Sequence, residues 1–368
     1  MIGGISPQLC VQKWKELREG LVKSYRMLEE IKEQPKRLEE TLEIETEKAR
    51  EIGKEIKRFS PECVMVVARG TSDNVATYAR YLIQYENKLP VASAAPSLYT
   101  FYDAKLKLDK TLVIGISQSG ETPDVVYCIK KAREDGALTC AITNTENSPL
   151  EKEVHLALVA HSGKEEAVAA TKTFTTSLLA VALLSFHWAG DEEKLEELSS
   201  TPSQAERMLS QASLIEEIVQ RYTYVEVMSV ISRGFSYPTA LEIALKIRET
   251  SLVDADGFSS ADFMHGPVAV VRKGFSLFFV APKGKTLETL IEIAQQLRKR
   301  GAEIIALSNS ERMRKIAHSY IPIPFEGDEI ILPITSVIGG QLFAYYLAIS
   351  RGLNPDKPRG LRKVTRIW

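Results

Sequence analysis

Thr111-Leu112-Val113-Ile114-Gly115-Ile116-Ser117-Gln118-Ser119-Gly120-Glu121-Thr122-Pro123 is the stretch that decides how this chain is read. Thr111 to Ile116 is a short, unbroken apolar run, the pattern of a strand buried on both faces. Three hydroxyl side chains around a glycine follow, and then a proline suited to the first turn of a helix. A strand that runs through such a loop into a helix aims backbone N–H groups and the positive end of the helix dipole at one point. Ser117, Ser119 and Thr122 add short donors, so the expected occupant is an anion, and a phosphate before others. An ordinary strand-to-helix turn with an N-cap is the plain alternative.

The same texture extends on both sides. Cys63 to Ala68 and Leu138 to Thr143 also read as buried strands, separated by helical segments, and alternating strands and helices imply a parallel sheet. Upstream, from about Val11 to Phe59, the chain is charge-rich with apolar residues at helical spacing, among them Leu28, Ile31, Leu38 and Leu42, and residues 1–59 are expected to form a helical arm. Beyond the charged stretch Gly190 to Ser200 a second series begins, with strands expected at Val227 to Ser232, Ser276 to Ala281 and Glu303 to Leu307.

The two series look like copies. Arg69-Gly70-Thr71-Ser72 corresponds to Arg233-Gly234-Phe235-Ser236, Gly120 corresponds to Gly284 at the same interval, and an alanine pattern recurs that ends at Asn144 and at Asn309. The expected fold is therefore α/β, with two domains at 60–190 and 200–352, each a parallel sheet between helical layers, and a tail at 353–368. Chemically the copies are unequal. Where the first has Ser-Gln-Ser-Gly-Glu-Thr, the second has Ala281-Pro282-Lys283-Gly284-Lys285-Thr286, so one hydroxyl-rich loop is expected per chain.

Bulk properties narrow the function. The 368 residues exceed what one core usually serves. A net charge of -1 supplies no basic field for nucleic acid. Met1 to Cys10 does not read as a signal peptide, and no long uncharged apolar run could cross a membrane. Cys10, Cys63, Cys128 and Cys140 lie far apart without C-x-x-C spacing, which fits free thiols in a reducing compartment. A cytoplasmic protein is expected, with neither metal nor redox cofactor.

Four further features could carry chemistry. Gly70, Thr71 and Ser72 would add donors from the neighbouring strand end, where open α/β sheets bind ligands. The helical stretch Pro238 to Ser251 is apolar on most faces, yet Glu242, Lys246 and Glu249 form one polar stripe at spacings of four and three. On a buried helix such a stripe should line a cavity or an interface, and a solvated ladder of ion pairs is the alternative. His265, before Gly266-Pro267, sits in a turn expected at a strand's entrance and could move a proton near neutral pH. The basic tail carries Leu361, Val364 and Ile367 at regular spacing, as if it docks and brings a lysine with it. Lysine is the residue that forms Schiff bases with carbonyl substrates.

Taken together, these motifs resemble the sugar isomerase (SIS) family, in particular its double-domain group, which includes the isomerase half of glucosamine-6-phosphate synthase and stand-alone glucosamine-6-phosphate deaminases. The likeness covers nearly the whole chain: Glu33-Gln34-Pro35, Arg69 to Ser72, Ser117 to Thr122, Val168-Ala169-Ala170-Thr171-Lys172, Ala240 to Glu249, His265-Gly266-Pro267 and Leu361-Arg362-Lys363-Val364-Thr365. The resemblance implies that Thr71, Ser72, Ser117, Gln118, Ser119 and Thr122 hold the phosphate and sugar, with Val168 nearby. It implies that Glu249 moves the proton between carbons 1 and 2, that His265 opens the ring and reaches the site of a neighbouring subunit in a dimer, and that Lys246 and Lys363 contact the sugar.

Ala68-Arg69 and Ala170 depart from the synthase branch, which has a cysteine before the Gly-Thr-Ser turn and a serine at the second place. Arg233 to Pro238 and Gly352 to Asp356 look more like the stand-alone deaminases. The chain as given starts at the helical arm with no cysteine near position 2, so it is not expected to draw ammonia from glutamine by itself. The implied reaction converts glucosamine-6-phosphate to fructose-6-phosphate and ammonia. The alternatives are a fructosamine-phosphate deglycase, another sugar-phosphate isomerase, or a sugar-phosphate sensor. The sensor is disfavoured by the lack of a basic helix-turn-helix segment and by the retained Lys246, Glu249 and His265.

Overall fold

The computed structural model describes residues 25–361 and Lys363. Cys10, the arm up to Ser24, and Arg362, Val364, Thr365 and Ile367 of the tail lie outside the described residues. Two five-stranded parallel sheets form the frame. The first contains β1 (Cys63–Val67), β2 (Val91–Ser93), β3 (Thr111–Ser117), β4 (Leu138–Thr143) and β5 (Leu156–Val159), in the order β2-β1-β3-β4-β5. The second contains β6 (Val227–Ser232), β7 (Asp254–Ser259), β8 (Ser276–Val280), β9 (Glu303–Ser308) and β10 (Ser319–Pro322), in the order β10-β9-β8-β6-β7. Numbered within each half, the two orders are the same. The registers also agree: Val66 pairs with Ile114 in one sheet, and Val230 with Phe278 in the other, at the interval set by the matched glycines. The duplication read from sequence is thus one of topology as well.

The longer helices are α1 (Gln34–Phe59), α2 (Thr71–Glu86), α3 (Pro123–Glu134), α4 (Lys172–Ala189), α5 (Tyr237–Ser251), α6 (Leu287–Lys299) and α7 (Pro333–Ser350). Both α4 and α7 are apolar almost all round and buried along nearly their whole length, as helices sandwiched between two sheets must be. They pack with α1, α2 and α5 into one core that takes side chains from both halves, including Leu178, Leu342, Ile243 and Tyr78. A separate apolar cluster covers the outer face of each sheet, around Phe279 and Leu290 in one and Val113 and Ile129 in the other. Each sheet is therefore covered on both sides, as all-parallel sheets require.

The arm is a structural part of this core. Ile31, Leu38, Ile52 and Ile56 are buried in it, and the buried Gln34 side chain donates to Gln341 of α7 at 2.8 Å. No helix among the described residues is long and apolar enough to cross a membrane.

Candidate functional site

The strand order reverses between β1 and β3, which makes the carboxyl ends of these two strands the switch point of the first sheet. Two loops meet there. Gly70, with a left-handed φ of 57°, leads into α2, while Ser117 to Thr122 leads into α3. Gly120 has φ 62°, and a Cβ on it would lie 2.3 Å from Ser148 Oγ, so only glycine lets the loop turn this tightly against the neighbouring segment.

The hydroxyls do not cap the helices, which removes the plain alternative of a simple turn. Neither α2 nor α3 has a side-chain cap. Ser117 and Thr122 hydroxyls lie 3.0 Å apart, Ser119 Oγ accepts from the Glu121 amide at 3.2 Å, and Thr71 is engaged by α5. Both helix N-termini thus open into the same space with short donors around them.

That space is a cavity of about 610 Å³. Its walls include Gly70, Thr71, Ser72, Ser117, Gln118, Ser119, Thr122 and Val168, together with Lys246, Glu249 and Lys363 from beyond the first sheet. The site residues expected from sequence therefore line one cavity, with the exception of His265 and of Glu242 in the polar stripe.

On α5 the polar stripe is buried. Lys246 Nζ lies 2.5 Å from Glu249 Oε2 and 3.4 Å from Glu242 Oε1, and it donates to Thr71 Oγ1 at 3.2 Å. Lys246 and Glu242 are fully buried, so the solvated ladder is excluded. The structure does amend the expectation for Glu242. It does not line the cavity but is sealed behind it, where its two oxygens accept from Thr71 at 3.1 Å and from Asn74 at 2.7 Å. Burial pushes the Glu242 carboxyl up to about 7, against the pull of Lys246 and Asn74. Burial also works against the Lys246 ammonium, but Glu242 and Glu249 outweigh it and hold that group above the ordinary lysine range. One ammonium between two carboxylates keeps its proton, while buried Glu242 binds a proton more readily than an exposed carboxylate does.

Lys363 reaches the cavity from the tail and donates to Glu165 Oε2 at 2.9 Å and to the Ala167 carbonyl at 2.7 Å. Glu165 had no signal in the sequence, since it lies in a loop without motif or periodicity. Burial alone would raise its carboxyl, but the Lys363 ammonium, the Thr171 amide and the Thr173 hydroxyl prevail and hold it below the usual carboxylate range. Arg69 and Asp124, also on the cavity wall, form an ion pair at 2.5 Å, and Ser97, Thr100 and Phe101 extend the wall past the loop. Arg69 was part of the motif read from sequence, whereas Asp124, Ser97, Thr100 and Phe101 were not singled out there.

His265 is the exception. It is exposed, does not line the cavity of its own chain, and follows the short helix Ser260–Met264. Its turn leads into the single 3-10 turn Pro267–Val270, with β8 starting only at Ser276, so it does not stand at a strand's entrance as expected. Gly266-Pro267 restarts a helical turn here instead of feeding a strand.

A family profile described as the SIS domain matches residues 60–186 and 227–351. The isomerizing glutamine–fructose-6-phosphate aminotransferase of Thermococcus kodakarensis is 36% identical over 352 residues, covering 93% of this chain and 58% of that protein. A candidate phosphosugar isomerase from Silicibacter pomeroyi DSS-3 superposes with a TM-score of 0.81 at 33% identity, over 90% of this chain and 100% of the other. The C-terminal domain of glucosamine-fructose-6-phosphate aminotransferase from Francisella tularensis superposes with a TM-score of 0.83 at 28% identity, over 92% and 99%. The chain spans 58% to 61% of the length of the first two curated relatives it matches.

Proposed function

The chain belongs to the SIS-domain family, and from that premise we propose that it moves a proton between carbons 1 and 2 of an open-chain amino-hexose 6-phosphate. The observation that carries this reading is that the hydroxyl-rich loop and the Lys246–Glu249 pair line one cavity. A phosphate at Ser72, Ser117, Gln118, Ser119 and Thr122 would anchor one end of the substrate. Its carbonyl end would lie toward Glu249 and the two lysines.

In this reading Glu249 takes the proton from carbon 2 of the aldehyde and returns one to carbon 1, since one carboxylate can serve adjacent carbons from a single face. Lys246 and Lys363 both sit in ion pairs, and an ammonium has no lone pair with which to attack a carbonyl. Their arrangement favours offsetting the negative charge that develops on the enolate oxygen over Schiff-base formation. With glucosamine-6-phosphate the product is a 2-imine; water adds across its carbon–nitrogen bond, and fructose-6-phosphate and ammonia leave. No step in this sequence calls on a metal or a redox cofactor. The exposed turn at His265 fits a dimer in which each histidine assists ring opening at the other subunit's cavity.

A second reading keeps the proton transfer and changes the substrate, to a phosphosugar without an amine or to a fructosamine phosphate that the enzyme deglycates. The Silicibacter likeness at 33% identity, to a candidate phosphosugar isomerase, supports the isomerase chemistry that both substrates share. A panel of glucosamine-6-phosphate, fructosamine phosphates and amine-free hexose 6-phosphates, scored for ammonia and for ketose, separates them. Turnover of glucosamine-6-phosphate no better than that of fructosamine phosphates would sink the first reading.

A further inference from the structure

Glu165 is a carboxylate with no solvent contact whose two oxygens do different things. Oε1 sits at the N-terminus of α4, accepting from the Thr171 amide at 2.7 Å, the Thr173 amide at 3.3 Å and the Thr171 hydroxyl at 3.3 Å. An anion in that place is stabilised by the helix dipole and is fixed in direction by two backbone donors. Oε2, held out by this anchoring, accepts from three side chains: Thr173 Oγ1 at 2.8 Å, Gln118 Nε2 at 3.1 Å and Lys363 Nζ at 2.9 Å. All three belong to the cavity wall.

Resting on the isomerase reading above, we propose that Glu165 is the positioning residue of this site, holding the Lys363 ammonium over the cavity and tying it to Gln118 of the phosphate loop. Lysine has four rotatable carbons and a strongly hydrated head, so it needs a fixed counter-charge to keep one geometry. The backbone supports the same placement. Asp356 accepts from the amides of Arg26 and Met27 at 2.9 Å each, and its carbonyl accepts from the Val168 amide at 3.3 Å, which docks the tail against the loop that carries Glu165. The Ala167 carbonyl takes a second proton of the same ammonium. Gln118, Thr173 and Lys363 share one oxygen of Glu165, so a phosphate that draws the Gln118 amide to itself leaves that oxygen to the lysine and the Thr173 hydroxyl.

The test uses the full chain and reads Lys363 directly, by trace labelling with acetic anhydride and mass spectrometry of the tail peptide. Glu165→Gln keeps the shape and removes the charge, and it should label Lys363 about tenfold faster than wild type, as expected when a charge-assisted hydrogen bond is lost. Glu165→Asp retains an anion for the helix while drawing the second oxygen back by one methylene. It should melt close to wild type and still label faster, which separates the clamp from the helix cap. In turnover, Glu165→Gln should lower kcat about tenfold or more with KM little changed, and should lower it no further in a Lys363→Met background. Wild-type labelling in both Glu165 variants, or fully additive effects with Lys363→Met, overturns the proposal. Faster labelling in a protein that turns over no hexose phosphate would remove the reaction and leave the clamp standing.

Discussion

Lys246 Nζ and Glu249 Oε2 lie 2.5 Å apart, one turn from each other on a helix whose neighbouring turn supplies Glu242 to the same ammonium. This buried cation partly offsets the burial of Glu242. Replacing it by Lys246→Met should destabilise the fold by about 3 to 5 kcal/mol at pH 8, the usual cost of breaking a buried pair and leaving one charge uncompensated. Burial pushes Glu242 up to about 7, so at pH 5 it is neutral and the deficit should shrink. Urea unfolding at the two pH values measures this. An equal deficit at both would mean that Glu242 carries no extra proton.

Gly120 should be irreplaceable for a steric reason. Gly120→Ala forces a left-handed φ on a residue with a Cβ and drives that Cβ against Ser148, which is itself buried. We expect a loss of about 1 to 3 kcal/mol or more in stability from strain alone, and phosphate protection against thermal unfolding should disappear. Gly190→Ala is the control, since Gly190 also has a positive φ but nothing within 4 Å of an added Cβ. It should cost about 1 kcal/mol and keep the phosphate effect.

The Glu30 contribution to stability should decline as pH rises toward neutrality. Glu30 accepts from the amides of Glu166 and Ala167, and burial pushes its carboxyl up to about 7 from an ordinary 4.5. The folded chain therefore binds this proton more tightly than the unfolded chain. Its contribution is fully present below pH 4.5 and is lost as pH climbs through 7. Glu30→Gln keeps an acceptor and removes the titration. The wild-type advantage in Tm over Glu30→Gln should be largest near pH 5 and smallest near pH 8, and a gap that widens with pH would contradict the assignment.

What could be read from sequence follows from position in the sheets. β1, β3, β4, β6, β8 and β9 are inner strands with continuous apolar runs, and all were legible within a residue or so. The edges β2, β5, β7 and β10 are short or half-exposed, and β7 reads Asp254-Ala255-Asp256-Gly257-Phe258-Ser259, with none of the apolar patterning that announces a strand. Motifs pointed to parts of the cavity wall in the same way. The loop, the α5 stripe and Lys363 carry recognisable chemistry, whereas Glu165 lies in an unpatterned loop and Glu30 is one glutamate among many in a charge-rich helix, and the importance of both comes only from what the fold brings to them. His265 was legible as a reactive type in a turn, but its exposure was not.

The exposed histidine gives a prediction about assembly. His265→Ala and Glu249→Gln should each be inactive alone. After subunit exchange, half of the dimers in an equal mixture are hybrids, and one of the two sites in each hybrid combines an intact Glu249 with an intact His265. About a quarter of wild-type activity per site should return. No recovery, with hybrids present by native mass spectrometry, would mean that the histidine serves its own chain or no site at all.

The proton at carbon 2 tests the central claim most directly. Incubated with glucosamine-6-phosphate in D2O and followed by NMR, the wild-type protein should exchange or transfer that proton while ammonia is released. Glu249→Gln should bind the sugar phosphate yet lose both processes by about 100-fold to 10,000-fold, the range for removing a general base. Exchange at the wild-type rate in Glu249→Gln, or none on any hexose 6-phosphate with the wild-type protein, would contradict the account.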